Sequence, residues 1–267
     1  MNKRFLTKVL FLLSTFTGSC WAGCCSKSLS LECEKAAIKE SPIDTILVQL
    51  KQKTAELKTY YGKIEYQIDQ PLFESKTLRK GLLYYEKDDG RSALRINFNT
   101  LKQDDEKEQK YIEQYIFDGI WLTHINYQIK EVKRYQQAEP NNPADVFELA
   151  GRNLPIIGFS NIEDMKKEFE IELIEQKSND TNDFICLHLK VKPNSIYKDD
   201  YTSVDVCIDK TLSLPAKITA VSVEGDIYKI KFPEMKVNEK IDKKVFNFEA
   251  PESFTQEVIL LKENVNQ

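Results

Sequence analysis

Residues 41–68, SPIDTILVQLKQKTAELKTYYGKIEYQI, change their apolar period part-way through, and that change decides the fold. In the first half Ile43, Ile46, Leu47, Leu50 and Leu57 recur at spacings of three, four and seven, which places them on one stripe of an α-helix. Ser41 suits the N-cap, Pro42 the first turn, and Asp44 puts a carboxylate where the helix dipole favours one. From Tyr60 the period is two. Tyr60, Ile64, Tyr66 and Ile68 alternate with Lys63, Glu65 and Gln67, as in a strand with one buried face.

Downstream the same alternation recurs. In LRINF, Leu94, Ile96 and Phe98 alternate with Arg95 and Asn97, and QYIFDGIWLTHI, FEIELIE, FICLHLKV, TSVDVCID, PAKITAVSV, DIYKIKF and VFNF are further short runs. Asp88-Asp89-Gly90, Asp118-Gly119, Pro193-Asn194 and Glu224-Gly225-Asp226 separate them as turns. About ten strands joined by short turns predict an antiparallel meander with one apolar face. It is interrupted between Pro140 and Glu168, where two short helices are expected, the second capped by Ser160 and Glu163. Val146, Phe147, Leu149, Ile156, Ile157 and Phe159 in that insertion need burial. The expected fold is α+β and mainly β. It is a single strongly curved antiparallel sheet, an unclosed half-barrel, with a helical lid over its apolar concave face.

The start of the chain has the layout of a secretory signal: Lys3, Arg4 and Lys8, an apolar stretch from Val9 to Phe16, then small residues. That stretch is far shorter than the roughly 20 residues that span a bilayer. Trp21-Ala22-Gly23-Cys24 resembles a bacterial lipobox, with Cys24 as the lipid attachment, and Thr17-Gly18-Ser19-Cys20 fits less well. Ordinary cleavage after Ala22 is the alternative. The expected organisation is a signal peptide over 1–23, a flexible polar leader over 24–40 and a single domain over 41–267. Without the signal, about 35 basic residues face 42 acidic ones, a net charge near −7, which argues against nucleic-acid binding.

From Leu57 to about Val258 the chain resembles the periplasmic lipoprotein carriers of the LolA type. The resemblance rests on a colinear series: GLLYYEKDDGRSALRINF, YIFDGIWLTHINYQIKEVKRY, ICLHLKVKP, DVCIDKTLSLPAKITAVSVEGDIYKIKF and KVNEKIDKKVFNFEAPESF. It implies an exported, periplasmic protein whose cavity shields the acyl chains of a lipoprotein or other lipid, as a carrier or as a receptor anchored through Cys24. Partners would be those acyl chains and an inner- or outer-membrane lipoprotein-sorting complex. The family's Arg-Pro after the aromatic strand is absent; the turn reads Glu86-Lys87-Asp88-Asp89, and no residue receives the arginine's lid-holding role. Taken as the inward face, the alternation assigns Ile64, Tyr66, Leu94, Ile96, Phe98, Leu187, Leu189, Val206, Ile218, Ile230 and Phe232 to the cavity. Ile46, Leu50, Phe147, Ile156 and Ile157 are assigned to the lid.

Other constellations read more simply. Cys24, Cys25 and Cys33 lack a paired CxxC and a nearby His, so no metal is expected, and no cofactor. Cys186 and Cys207 fall on neighbouring predicted strands, where export permits a disulfide. His124 and His188 stand in strands without a nucleophile beside them, as hydrogen-bonded strand histidines. Asp199, Asp200, Asp205 and Asp209 read as a solvated face. No nucleophile, acid pair or metal set points to an enzyme. The alternative function is a periplasmic sensor that uses the same half-barrel to bind lipids or lipoproteins and signals to a protein partner.

Overall fold

A computed structural model describes residues 41–147, 162–174 and 183–261. Helix α1 (Pro42–Ala55) begins as the sequence dictates: the Ser41 hydroxyl accepts the Asp44 N–H at 3.2 Å. Its stripe is buried, with Leu47 enclosed and Ile43, Ile46 and Leu50 packed on the main core; the helix stops at Ala55, so Leu57, expected on the same stripe, is buried just beyond it. The strands are β1 (Thr59–Gln70), β2 (Ser75–Asp88), β3 (Arg91–Gln103), β4 (Gln109–Phe117), β5 (Trp121–Asn126) and β6 (Glu131–Gln136). After α2 (Ile162–Glu168) come β7 (Phe169–Leu173), β8 (Phe184–Val191), β9 (Tyr201–Asp209), β10 (Pro215–Ser222) and β11 (Ile227–Lys231). Short β12 (Lys236–Val237) and β13 (Thr255–Ile259) complete the sheet.

The thirteen strands form one curved, open sheet in the order β13-β6-β5-β4-β3-β2-β1-β11-β10-β9-β8-β7, with β12 also on β1. The expected half-barrel is therefore present, but not as one continuous meander. Two meanders, β1–β6 and β7–β11, join because β1 pairs with β2 on one side and β11 on the other, with Tyr66 opposite Ile230. The last strand was not foreseen: β13 lies parallel to β6, with Val258 opposite Arg134.

VFNF, expected as a strand, is instead a 3-10 turn at Lys243–Phe246 followed by extended chain. The cause is on β3, where Arg95 Nη1 donates to Val245 O at 2.7 Å and Asn247 O at 3.0 Å. A guanidinium holds the carbonyls that a neighbouring strand would otherwise have taken. One turn and one strand position also follow from backbone chemistry. Asp89 (φ 45°) and Gly90 (φ 79°) make the two-residue β2–β3 hairpin, a left-handed pair that suits Asp-Gly. At Gly81 an added Cβ would lie 1.9 Å from Asn97 O, beside the register shift between β2 and β3.

The sheet has two packed faces. The inner face carries α1, α2 and the main cluster, including Ile64, Tyr85, Phe117, Leu189 and Val204. On the outer face Ile116, Ile125 and Val132 are covered by Phe248, Ala250 and Phe254 of the C-terminal segment. Of the insertion, Ala144 to Phe147 lies on the inner cluster. The expected cap Ser160 lies outside the described residues.

Candidate functional site

The inner face is built row by row from strand pairing. Tyr66, Ile230, Ile218, Val206 and Leu187 are successive partners across β1, β11, β10, β9 and β8. Each is buried, so five side chains form one continuous apolar row. Leu189 and Val204 pair beside it. On the other half, Tyr85, Leu94, Phe117, Leu122 and Tyr135 make a second row across β2 to β6.

All eleven residues assigned to the cavity lie on this face. Ile64, Tyr66, Phe98, Leu187, Leu189, Val206, Ile218 and Ile230 are buried in the main cluster, and Leu94, Ile96 and Phe232 pack against it half-buried. Among the lid residues, Ile46, Leu50 and Phe147 pack on the same cluster, and the Phe147 ring lies 4.9 Å from that of Tyr85. Ile156, Ile157 and Cys24 lie outside the described residues. The start of the insertion is pinned to the β2–β3 hairpin by two contacts. Ser92 Oγ accepts the Val146 N–H at 2.7 Å, and Lys87 Nζ lies 3.1 Å from Asp145 Oδ2.

Sequence reasoning missed a polar island on this face. Glu113, whose side chain is only 5% exposed, shares a 2.8 Å hydrogen bond with His124 Nε2 and accepts the Tyr115 hydroxyl at 3.0 Å. Its other oxygen is 3.2 Å from Arg79 Nη1. The Tyr115 and His124 rings stack at 4.6 Å, and the Arg79 guanidinium sits 5.4 Å over Tyr111. Burial pushes the Glu113 carboxyl up, but the His124 hydrogen bond and the Arg79 charge outweigh it and hold the group below the usual carboxylate range. Burial, with the Glu113 charge adding to it, raises the Tyr115 hydroxyl well above its ordinary value. The available signal was Glu113 standing in phase with Tyr115 and Phe117.

The remaining constellations are in place. Cys186 and Cys207 are cross-strand partners joined as a disulfide, with Cα atoms 4.0 Å apart. His188 Nδ1 is 2.6 Å from Asp205 Oδ1. Among the described residues no group of three or more His, Cys, Asp or Glu is arranged to hold a metal, and no helix is long and apolar enough to cross a membrane. A separate open cleft of about 450 Å³ is carboxylate-rich, lined by Glu86, Asp88, Asp89 and Asp118 with Arg91, Ser92 and Ala93.

An open antiparallel half-barrel with helices on its inner face is the class of fold that these elements define. Similar solved structures include an uncharacterised conserved protein from Thermus thermophilus, at 9% identity and a TM-score of 0.46, covering 83% of this chain and 100% of that one. They also include a LolA superfamily protein from Nitrosomonas europaea, at 13% identity and a TM-score of 0.33, covering 76% of this chain and 96% of that one. A third is the Pseudomonas aeruginosa MucA/MucB complex, at 12% identity and a TM-score of 0.45, covering 77% of this chain and 60% of the matched one. No family model matches the sequence, and no curated protein matches it. Likenesses this distant assign no residue of this chain a role.

Proposed function

We propose that the chain is an exported, periplasmic lipid- or lipoprotein-binding protein that shields acyl chains on its inner face, as a free carrier or as a receptor anchored through Cys24. The observation that carries this reading is the five-strand apolar row from Tyr66 to Leu187 on an open sheet. Burying a methylene contributes about 0.8 kcal/mol, so a chain of some fourteen would contribute on the order of 11 kcal/mol. The strand pairing supplies the surface, and because its residues are buried beneath a cover packed through Leu50 and Phe147, an acyl chain reaches them by displacing that cover. The chemistry asked of the site is binding and not catalysis.

Mass spectrometry of the protein from its own membrane and soluble fractions, native and denatured, tests this. A lipid-sized adduct seen natively and lost on denaturation is the expected result; an empty protein in both fractions refutes the reading. The denatured mass separates its two forms. A start at Cys24 with added acyl mass means an anchored receptor, and an unmodified start at Gly23 means a free carrier.

A further inference from the structure

Five large apolar side chains stay exposed on turns at one rim of the sheet. Leu72 (79% exposed) and Phe73 (74%) occupy the 3-10 turn between β1 and β2, Val223 the β10–β11 turn, Ile196 (68%) the β8–β9 loop, and Ile129 the β5–β6 turn. Strand direction places all these turns at the same end, opposite the Asp89-Gly90 hairpin. Three of them are joined directly. Gln70 Nε2 donates to Asp226 Oδ2 at 3.1 Å, and the Val223 N–H donates to Asp200 O at 3.2 Å. Leu72, Phe73, Val223 and Ile196 thus stand on one run of linked turns. The Leu72–Phe73 turn is ordered: Pro71 opens it, and the Glu74 N–H closes on Pro71 O at 3.2 Å with Glu74 at φ 49°. A fixed turn that holds Leu and Phe in solvent, with Val223 and Ile196 on the turns linked to it, is the apolar feature of this rim.

The chain enters the domain at this rim. Asp44, in the first turn of α1, lies 2.6 Å from Lys166 Nζ, and Lys192 Nζ donates to Lys166 O at 2.6 Å. Lys192 opens the loop that carries Ile196, whose N–H donates to Glu168 Oε2 at 2.8 Å. Cys24 precedes Ser41 by seventeen residues, which reach at most about 60 Å even when fully extended. In the anchored form of the proposed function, a lipid on Cys24 would tether the domain by this rim. The charges at this rim are mostly acidic, Glu74, Asp199, Asp200, Glu224 and Asp226 on the linked turns and Asp104, Asp105, Glu106 and Glu108 on the β3–β4 turn bonded to Lys76, against Lys107, Lys192 and Lys198, which does not suit an anionic lipid surface.

We propose that this rim docks on a bilayer of zwitterionic headgroups, with Leu72 and Phe73 entering the interface and Val223 and Ile196 beside them. Docking uses the rim and not the inner face, so it stands or falls apart from acyl-chain binding. The test floats the chain from residue 24 onward, without the expected signal peptide and carrying Cys24→Ser, on phosphatidylcholine vesicles and compares two pairs of added substitutions. Leu72→Glu with Phe73→Glu lowers the partition coefficient about tenfold or more, because two apolar side chains leave the interface. Val258→Glu with Leu260→Glu, also open to solvent at and just past β13 but off the rim, leaves it unchanged, and added salt does not weaken binding. In the same background, Phe73→Trp adds fluorescence that brominated lipid quenches. Equal loss in both pairs, no loss in the rim pair, or unquenched Trp emission overturns the proposal. So does a parent dimer that only the rim pair dissociates, which would assign the patch to self-association.

Discussion

Replacing Glu113 by Gln removes the negative charge of the polar island and keeps its shape. Arg79, with a side chain 20% exposed, then faces a neutral amide, and the amide N–H₂ must point at either the guanidinium or the imidazole. Removing one partner of a buried ion pair costs roughly 3–5 kcal/mol. Arg79 keeps partial access to water and its seat over Tyr111, so the low end applies, about 3 kcal/mol. At roughly 2–4 °C per kcal/mol for a domain of this size, the melting temperature near neutral pH falls about 6–12 °C. The pH dependence fixes the cause. Because Glu113 titrates below the ordinary carboxylate value in the folded protein, its contribution is complete above that value and is lost as pH falls through its lowered one. The gap between parent and variant is therefore widest near neutrality and closes in acid. Thermal unfolding followed by circular dichroism over that range measures it. A variant within about 1 kcal/mol of the parent at neutral pH would show that the network contributes little, and a gap that persists in acid would show that the loss does not come from the Glu113 charge. Glu113→Leu combined with Arg79→Met, which removes both charges, recovers most of the loss.

Phe232→Glu places a carboxylate on the inner face beside Tyr60, just past β11; the lipid adduct disappears from native mass spectra while folding and export persist, and a folded variant that keeps its lipid removes this face as the site. Arg95→Ala frees Val245 O and Asn247 O, costs about 2 kcal/mol, and raises deuterium uptake over 243–259 but not in β8 or β9. Replacing Cys186 and Cys207 by Ser opens a link across 21 residues of sequence and lowers stability by about 3 kcal/mol in urea titrations; an unchanged midpoint would mean that the disulfide contributes nothing.

Much of this architecture was legible because period and turn chemistry are local. The switch at Tyr60 separated α1 from β1, and the Asp89-Gly90 turn fixed the β2–β3 register that puts Leu94, Ile96 and Phe98 on one face. What escaped is non-local. Nothing in DIYKIKF says that Ile230 lies beside Tyr66 across some 160 residues, so the sequence read as one meander where two are joined. VFNF has the alternation of a strand, but Arg95 on a distant strand takes its carbonyls. Glu113 was passed over for the same reason. A carboxylate among aromatic residues looks like an exposed position until pairing brings His124 opposite Tyr115 and Arg79 within reach.

The island also limits where an acyl chain can lie. From β1 through β11 to β8 the inner face is apolar, and the five residues of the Tyr66–Leu187 row cover four strand spacings, about 19 Å. Toward β4 and β5 the facing side chains become Glu113, Tyr115, His124 and Asn126. Their hydrogen bonds keep the group tolerable inside the protein, but methylenes laid on it would strip residual water from Arg79 and gain less than methylenes laid on Ile218 or Val206. A bound chain is therefore biased toward the β8–β11 half, over which α1 packs against β7 and α2. On that half Val206→Glu should abolish retention of a lipid adduct, whereas His124→Gln, in the island, should leave it in place. Equal loss of the adduct in both variants, each shown to be folded, would mean that the chain spans both halves.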